Sequence, residues 1–155
     1  MNLLDFSSPK TQAEKEAEEA AKQAQEQPKP EREQVAYGDP DPVDPVKAEI
    51  AYDDFAAMDM RVCKVLKCQE IRKSHSCYKL TLSDGLDKRT IVSSIKAYYT
   101  PEELIGKKII VLANLKPTRI TGVTSEGMLL AATNNACGCK VIFVDDTVPE
   151  GTKIL

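Results

Sequence analysis

One histidine and five cysteines are the residues best suited to catalysis or metal binding in this chain of 155 residues. His75 lies in the polar stretch IRKSHSCYK, where an imidazole could act as a general base or metal ligand. Cys68, Cys77, Cys137 and Cys139 could join it in a zinc site. The C-x-C and H-x-C spacings fit a zinc knuckle poorly, so we expect reduced, partly buried thiols and no metal. Because phosphate loops, dinucleotide fingerprints and nucleophile elbows are also missing, we predict a protein without a catalytic site or cofactor.

Basic residues offer a different chemistry, which is contact with an anionic backbone. The set comprises Arg61, Lys64, Lys67, Arg72, Lys73, Lys79, Lys116 and Arg119. Solubility explains any single one of them, but on one side of a barrel the set could meet phosphates. With no tryptophan, five tyrosines and three phenylalanines, the chain has few aromatic rings for stacking on bases. We therefore expect recognition of a folded RNA by its shape.

Short β-rich runs, which begin at Met60, must position these side chains. The first run, Met60–Cys68, shifts the phase of its apolar residues, which predicts a bend or bulge. Tyr78–Ser83 and Arg89–Ser93 are predicted to form a hairpin around Asp84-Gly85, because this pair tolerates a positive φ. The remaining predicted strands are Lys108–Asn114, which is the most apolar and is expected at the centre, Met128–Ala132, Lys140–Val144 and Thr152–Leu155.

One short helix interrupts the strands. Thr100 is the expected cap, Pro101 the first helical residue and Glu103 the partner in a capping box, and Gly106 ends the helix. Turn residues recur about every 8–12 residues, as in small closed sheets. The pattern predicts an all-β fold, a five-stranded Greek-key OB-type barrel with one short helix, in a domain at residues 53–155.

Residues 1–52 have another composition and are predicted to form a tail and linker. They contain 6 Lys and Arg against 12 Asp and Glu, which leaves 15 against 12 in residues 53–155. The run 11–27 is rich in Ala, Glu, Lys and Gln, and we expect either a solvated helix or a helix that docks on a partner. Prolines from Pro28 to Pro45 predict an extended, mobile linker.

The chain lacks any apolar run long enough for a membrane span or a secretory leader. We therefore expect a cytoplasmic protein that does not enter a membrane. Reduced cysteines are consistent with that compartment.

Four ordered blocks resemble one known family over almost all of residues 53–155. The blocks are DDFAAMDMRV, IVSSIKAYYTPEELIGKKIIVLANLKP, GVTSEGMLLAA and VPEGTKI. They are similar to the tRNA-binding domain that occurs at the C-terminus of methionyl-tRNA synthetases, in free-standing bacterial tRNA-binding proteins and in cytokine-like eukaryotic cofactors. The resemblance implies an OB fold that binds tRNA largely by shape, and in bacterial members a homodimer.

The resemblance also implies RNA-contacting residues. It places them at Arg61, Asn114, Lys116, Ser125 and Met128. A mobile point charge at Lys116 can meet a phosphate, and Met128 offers a flexible apolar face. The alternative is that Asn114, Gly127 and Met128 only shape a loop and the core. The basic residues Lys79 and Arg119 complete the predicted tRNA-binding set.

Two positions depart from the family pattern. Cys63 stands where the family usually has glycine, so the resemblance does not extend to close backbone packing at this position. The stretch IRKSHSCYKL replaces the usual His-Pro-Asn-Ala-Asp-Lys-Leu, so the contacts of that loop cannot be transferred.

The leading interpretation is a non-catalytic tRNA-binding protein that acts alone or assists methionyl-tRNA synthetase. The alternative is a chaperone-like dimer that holds unfolded preproteins, because the family includes a bacterial secretion chaperone. That chaperone lacks an acidic arm, which favours the first interpretation.

Overall fold

The computed structural model describes residues 36–155, which form a mostly β domain with two short helices. The helices are α1 (Tyr52–Ala56) and α2 (Pro101–Leu104). The strands are β1 (Met60–Glu70), β2 (Tyr78–Ser83), β3 (Lys88–Ser93), β4 (Lys108–Leu112), β5 (Thr118–Ile120), β6 (Val123–Ser125), β7 (Met128–Leu129), β8 (Ala131–Asn134), β9 (Gly138–Val141) and β10 (Phe143–Val144). Neither helix approaches the length that crossing a membrane requires.

The main sheet is antiparallel, with the strand order β10-β4-β1-β2-β3, and β7 also pairs with β4. The Lys108–Asn114 run, which the sequence predicts as the central strand, forms β4. Strand β4 lies inside the sheet between β10 and β1, but the middle strand is β1. Two hairpins, β5–β6 and β8–β9, lie outside this sheet. The inner face buries one apolar cluster that includes Val65, Leu80, Ile91 and Val111.

Strand β1 is bent, as its sequence predicts. Its register with β2 shifts between Val65 and Lys67, which leaves Leu66 as the extra residue of a bulge. The bulge lets one strand pair with β4 through its first half and with β2 through its second half. This shared strand curls the sheet around the core.

The hairpin predicted around Asp84-Gly85 is confirmed. Strands β2 and β3 pair in register from Tyr78 opposite Ser93 to Ser83 opposite Lys88. Gly85 has φ +85°, and a Cβ there would lie 2.5 Å from the carbonyl oxygen of Glu150. Glycine is therefore required both by the turn and by the close approach of residues 150 and 151.

Helix α2 starts at Pro101, as predicted, and Gly106 follows its end with φ +83°. The expected capping box is wrong in one respect, because the Thr100 side chain makes no cap hydrogen bond. Its hydroxyl oxygen is buried without a partner in the described part of the chain. Proline at the first position still fixes the helical φ, so the helix forms without the Thr100 bond.

The later predicted strands are broken into shorter pieces. Met128–Ala132 divides between β7 and β8, and Lys140–Val144 divides between β9 and β10. The predicted last strand contributes only a bridge between Lys153 and Arg61 and backbone hydrogen bonds to the start of β1. Sequence reasoning missed the β5–β6 hairpin, whose strands have three residues each.

Residues 36–50 are part of the predicted linker and contain no helix or strand. They are nevertheless attached to the loop between β8 and β9. The N–H of Gly38 donates to the Asn135 carbonyl at 3.1 Å, and the Asp41 carboxylate accepts from the N–H of Asn135 at 2.8 Å. The mobility expected for this part of the linker is thus limited by specific bonds. The predicted helix at 11–27 lies outside the described residues.

Candidate nucleic-acid interface

A shallow groove of about 200 Å³ brings together three of the predicted site residues, Lys116, Ser125 and Met128. We name it the Lys116 groove. It lies on the outer side of β3, beside the β5–β6 hairpin, and its lining consists of Val92, Leu115, Lys116, Thr118, Ile120, Ser125, Gly127 and Met128. Sites for whole small molecules are usually larger, about 300–1,000 Å³, so this shape suits the surface of a macromolecule.

The base of the groove is built by Ser125 and Gly127. Ser125 is only 4% exposed, and its hydroxyl accepts from the N–H of Val92 at 3.0 Å and donates to the Gly127 carbonyl at 3.0 Å. A Cβ on Gly127 would lie 2.9 Å from the carbonyl oxygen of Leu112. Gly127 therefore allows the chain to pass close to β4 on its way into β7.

The walls of the groove combine one cation with apolar side chains. Lys116 is exposed in the connection between β4 and β5. Met128 is half exposed on β7 and Leu115 is 42% exposed, so both present apolar surface to solvent. Lys116 could thus meet a phosphate while the C–H surface of the adjoining ribose packs against Met128.

Lys79 lies beside the groove, although it does not line it. It is directly opposite Val92 in the β2–β3 register, and Val92 does line the groove. Directly opposed residues of an antiparallel pair share one face of the sheet, with Cβ atoms about 4.5–5.5 Å apart. A second cation therefore stands next to the Lys116 groove.

Arg61 and Asn114 lie outside the groove, in a cluster around Asp59. The Nε of Arg61 donates to the Asp59 carboxylate at 2.8 Å, and this bond holds the pKa of that carboxyl below its usual value. The Asn114 side chain accepts from the N–H of Asp59 at 2.9 Å and donates to the Ala57 carbonyl at 2.6 Å. Both side chains thus fasten the segment before β1 to the curled sheet.

Arg119 is exposed on β5 between Thr118 and Ile120, and both of those neighbours line the groove. Since side chains alternate along a strand, Arg119 points to the other face of the hairpin. The structure therefore brings together Lys116, Ser125 and Met128, places Lys79 next to them, and sets Arg119 on the reverse side.

Arg89 is a residue that sequence reasoning missed. Its Nη1 donates to the carbonyls of Ala113 at 2.9 Å and Glu126 at 2.7 Å, and its Nη2 pairs with the Asp84 carboxylate at 3.3 Å. Asp84 is 6% exposed and also accepts from the N–H of Asp87 at 2.8 Å. The local sequence shows only that Arg89 follows an Asp-Gly turn at the start of a strand. That position does not predict which loops its guanidinium contacts.

The histidine and cysteines do not converge. Within residues 36–155, no three His, Cys, Asp or Glu side chains lie close enough to share a metal ion. Burial raises the pKa of Cys63 to about 11 and that of Cys68 to about 12, so both thiols are neutral near pH 7. Cys63, at the position where the family usually has glycine, is fully buried in the apolar cluster.

Comparisons with known proteins identify the family of this domain. The profile of the family described as "Putative tRNA binding domain" matches residues 60–153. The methionine–tRNA ligase of Bacteroides fragilis is 42% identical over 110 residues, which cover 71% of this chain and 16% of the ligase. The chain thus spans about a sixth of the length of such a ligase.

Solved structures show the same fold. A MetRS-related protein from Pyrococcus horikoshii has a TM-score of 0.67 and 36% identity, covering 70% of this chain and all of that protein. The chaperone CsaA from Bacillus anthracis has a TM-score of 0.63 and 28% identity, with 70% of this chain covered and all of the chaperone. These likenesses confirm the mostly β, OB-like prediction. The matched domain is a binding fold and not a catalytic one, although the ligases that contain it are enzymes.

The family match spans more than half of the chain, from the first strand of the sheet to the bridge at Lys153. The matched residues include all those that line the Lys116 groove. The chain therefore belongs to the tRNA-binding domain family and is related to the C-terminal tRNA-binding region of methionyl-tRNA synthetases.

Proposed function

We propose that this protein is a non-catalytic tRNA-binding protein that recognises folded tRNA by its shape and phosphate backbone. The observation that carries the proposal is the Lys116 groove, which lies inside the matched domain and combines a mobile cation with exposed apolar surface. Phosphate contacts supply affinity without reading sequence, and irregular apolar surface supplies fit to a folded RNA.

The lining of the groove supports recognition of shape over stacking on unpaired bases. None of its eight lining residues is aromatic. Proteins that grip single strands rely on aromatic platforms, and each stacked base contributes roughly 1–3 kcal/mol there. Without aromatic side chains in the groove, an unstructured strand would bind mainly through its phosphate charges.

The proposed contacts divide by position. Lys79, Lys116 and Met128 reach solvent in or beside the groove and are proposed to touch the RNA directly. Arg119, which is exposed on the reverse face of the β5–β6 hairpin, is proposed to contribute only general attraction to the phosphate backbone. Ser125, Asn114 and Arg61 make hydrogen bonds inside the domain, so we assign them to the support of the neighbouring loops.

The synthetase relationship extends the proposal to a partner. Relatives of this domain are parts of methionine–tRNA ligases. We infer that the protein assists such a ligase in the cytoplasm by raising the local concentration of tRNA, without catalysing aminoacylation itself. Co-purification with the ligase that depends on tRNA would support delivery, and unchanged aminoacylation rates when the protein is added would contradict it.

An apolar surface at α1 is the proposed site of homodimer formation. Helix α1 buries no residue, and Tyr52 and Met58 are 74% and 46% exposed. They line a depression of about 260 Å³ together with Met60, Ile154 and Leu155. A second copy would cover this apolar surface, which is costly to leave in water.

The experiment that tests the function measures binding of the full chain to mixed tRNA. Unstructured single-stranded RNA and duplex RNA serve as competitors at two salt concentrations. Preference for tRNA that falls in a Lys116→Ala, Met128→Ala double variant would support the proposal. Loss of one phosphate contact should also reduce the slope of log affinity against log salt by about 0.7–0.9.

The matched control is Lys107→Ala, which removes an exposed lysine between α2 and β4 that does not line the groove. If wild type shows no preference for tRNA, or if Lys107→Ala weakens binding as much as the double variant, the proposal fails.

The structural likeness to the chaperone CsaA favours one alternative, a dimer that holds unfolded proteins. Exposed apolar side chains at α1 could serve that purpose as well as dimer formation. A chaperone would suppress aggregation of an unrelated denatured protein at equimolar ratio. We expect no suppression, and suppression without tRNA preference would select the alternative.

A further inference from the structure

We propose that Arg89 is a positioning residue for tRNA recognition, because it joins the loop that carries Lys116 to the turn that leads into Met128. The inference rests on the proposed function. Ala113 lies three residues before Lys116, and Glu126 lies two residues before Met128. The single Nη1 of Arg89 donates to both of their carbonyls, at 2.9 and 2.7 Å.

These bonds occur where a strand ladder ends. Strands β4 and β7 pair through Val111 opposite Leu129 and Leu112 opposite Met128. Beyond these pairs, the carbonyls of Ala113 and Glu126 are both directed at the Arg89 guanidinium. Arg89 thus joins the segment after β4 to the segment before β7, just where the pairing of these two strands stops.

The anchor of Arg89 is itself rigid. The Asp84 carboxylate pairs with the guanidinium through Nη2 at 3.3 Å and accepts from the N–H groups of Leu86 at 3.0 Å and Asp87 at 2.8 Å. The backbone N–H groups of the β2–β3 turn therefore hold the Asp84 carboxylate in place. The carboxylate then holds the Arg89 guanidinium. The Arg89 side chain is 24% exposed, so most of it lies inside the domain.

The second loop is also fastened to β3. The N–H of Glu126 donates to the Thr90 carbonyl at 2.8 Å, and the N–H of Thr90 donates to the Glu126 carboxylate at 3.0 Å. Arg89, the neighbour of Thr90, connects this fastened loop to the Ala113 carbonyl. The planar guanidinium therefore holds the start of the Lys116 loop against the turn before Met128, beyond the end of the β4–β7 pairing.

A lysine at position 89 could not make the same set of hydrogen bonds. Arginine has five N–H donors in a fixed plane, whereas lysine has one ammonium on a flexible stem. An Arg89→Lys variant keeps the positive charge and loses the bridge. A Lys88→Ala variant loses an exposed charge one residue away and keeps the bridge.

The test compares affinities for tRNA and for unstructured single-stranded RNA in these two variants. We expect Arg89→Lys to reduce the preference for tRNA about tenfold, the factor that one charge-assisted hydrogen bond represents. Affinity for single-stranded RNA, which depends on charge, should stay within about twofold in that variant. Lys88→Ala should weaken both RNAs equally and leave the preference unchanged.

Folding is monitored by circular dichroism, and binding is measured well below the melting temperature of each variant. If Arg89→Lys does not fold, Asp84→Asn keeps the arginine but weakens its anchor, and it should lower the preference in the same direction. An unchanged preference in the folded variants would overturn the inference. Wild type without preference would instead remove the proposed function.

Discussion

The hydroxyl of Ser125 accepts a hydrogen bond from the backbone N–H of Val92 at 3.0 Å, and this bond fastens β6 to β3. The same hydroxyl donates to the Gly127 carbonyl, so both bonds are made inside the domain. Ser125 is 4% exposed at the base of the Lys116 groove. A side chain that the family resemblance assigns to RNA contact thus acts here on the shape of the groove.

Replacement of Ser125 by alanine should lower the free energy of unfolding by about 1–3 kcal/mol, because the buried N–H of Val92 would lose its acceptor. Urea denaturation measures this change. Ser94→Ala removes an exposed hydroxyl and should stay within about 0.5 kcal/mol of wild type. Equal effects of the two variants would show that the internal bonds of Ser125 do not stabilise the fold.

Thr121, at the tip of the β5–β6 hairpin, should be a site where stability can be gained. It has φ +49°, the one positive value of a non-glycine residue in the described part of the chain, and Gly122 follows with φ +84°. Such two-residue turns favour Asn-Gly, and a β-branched residue is strained there.

Thr121→Asn should therefore raise the free energy of unfolding by roughly 0.5–1 kcal/mol. Differential scanning calorimetry is the measurement. Thr124→Asn, on the adjoining strand β6, should give no gain, since asparagine is disfavoured in strands. A Thr121→Asn protein that melts at or below the wild-type temperature would contradict strain at this turn.

Asp84 should make the stability depend on pH in the acid range. Burial raises the pKa of its carboxyl, but hydrogen bonds from the N–H groups of Asp87 and Leu86 and from Arg89 outweigh burial, so the pKa lies below 3.8. A carboxyl with a depressed pKa stabilises the fold above its unfolded pKa, and this contribution is lost as the pH falls through the folded pKa.

Asp84→Asn should therefore be less stable than wild type near neutral pH, and the difference should shrink as the pH falls below about 4. Thermal unfolding across the acid range measures the difference. Asp146→Asn removes an exposed carboxylate and serves as the control. A difference between Asp84→Asn and wild type that stays constant down to the acid limit would refute the role of the charge.

The α1 surface should control the oligomeric state. Met58→Glu places a charge among exposed apolar side chains, and it should convert a dimer into a monomer in size-exclusion chromatography with light scattering. Leu86→Glu changes a leucine that is 84% exposed in the β2–β3 turn and should leave the mass unchanged. A monomeric wild type, or a dimer that survives Met58→Glu, would exclude this interface.

Much of the fold could be predicted from the sequence. Asp84-Gly85 marked the β2–β3 hairpin, the apolar phase shift marked the bulge in β1, and Pro101 marked the start of α2. Each of these signals is carried by a few neighbouring residues, because turn preferences and side-chain alternation are local properties of the backbone. The three-residue strands β5 and β6 were missed, since so short a run shows no period.

The sequence by itself determined the succession of short β-rich runs, the acidic N-terminal composition and the family blocks. Only the tertiary structure decided that Ser125 is buried, that Arg89 joins two loops 24 and 37 residues away, and that Asp41 bonds to Asn135 across 94 residues. Such contacts depend on how the bent sheet brings distant segments together. Local patterns cannot encode them, because the partner of a polar side chain is set by the curvature of the whole sheet.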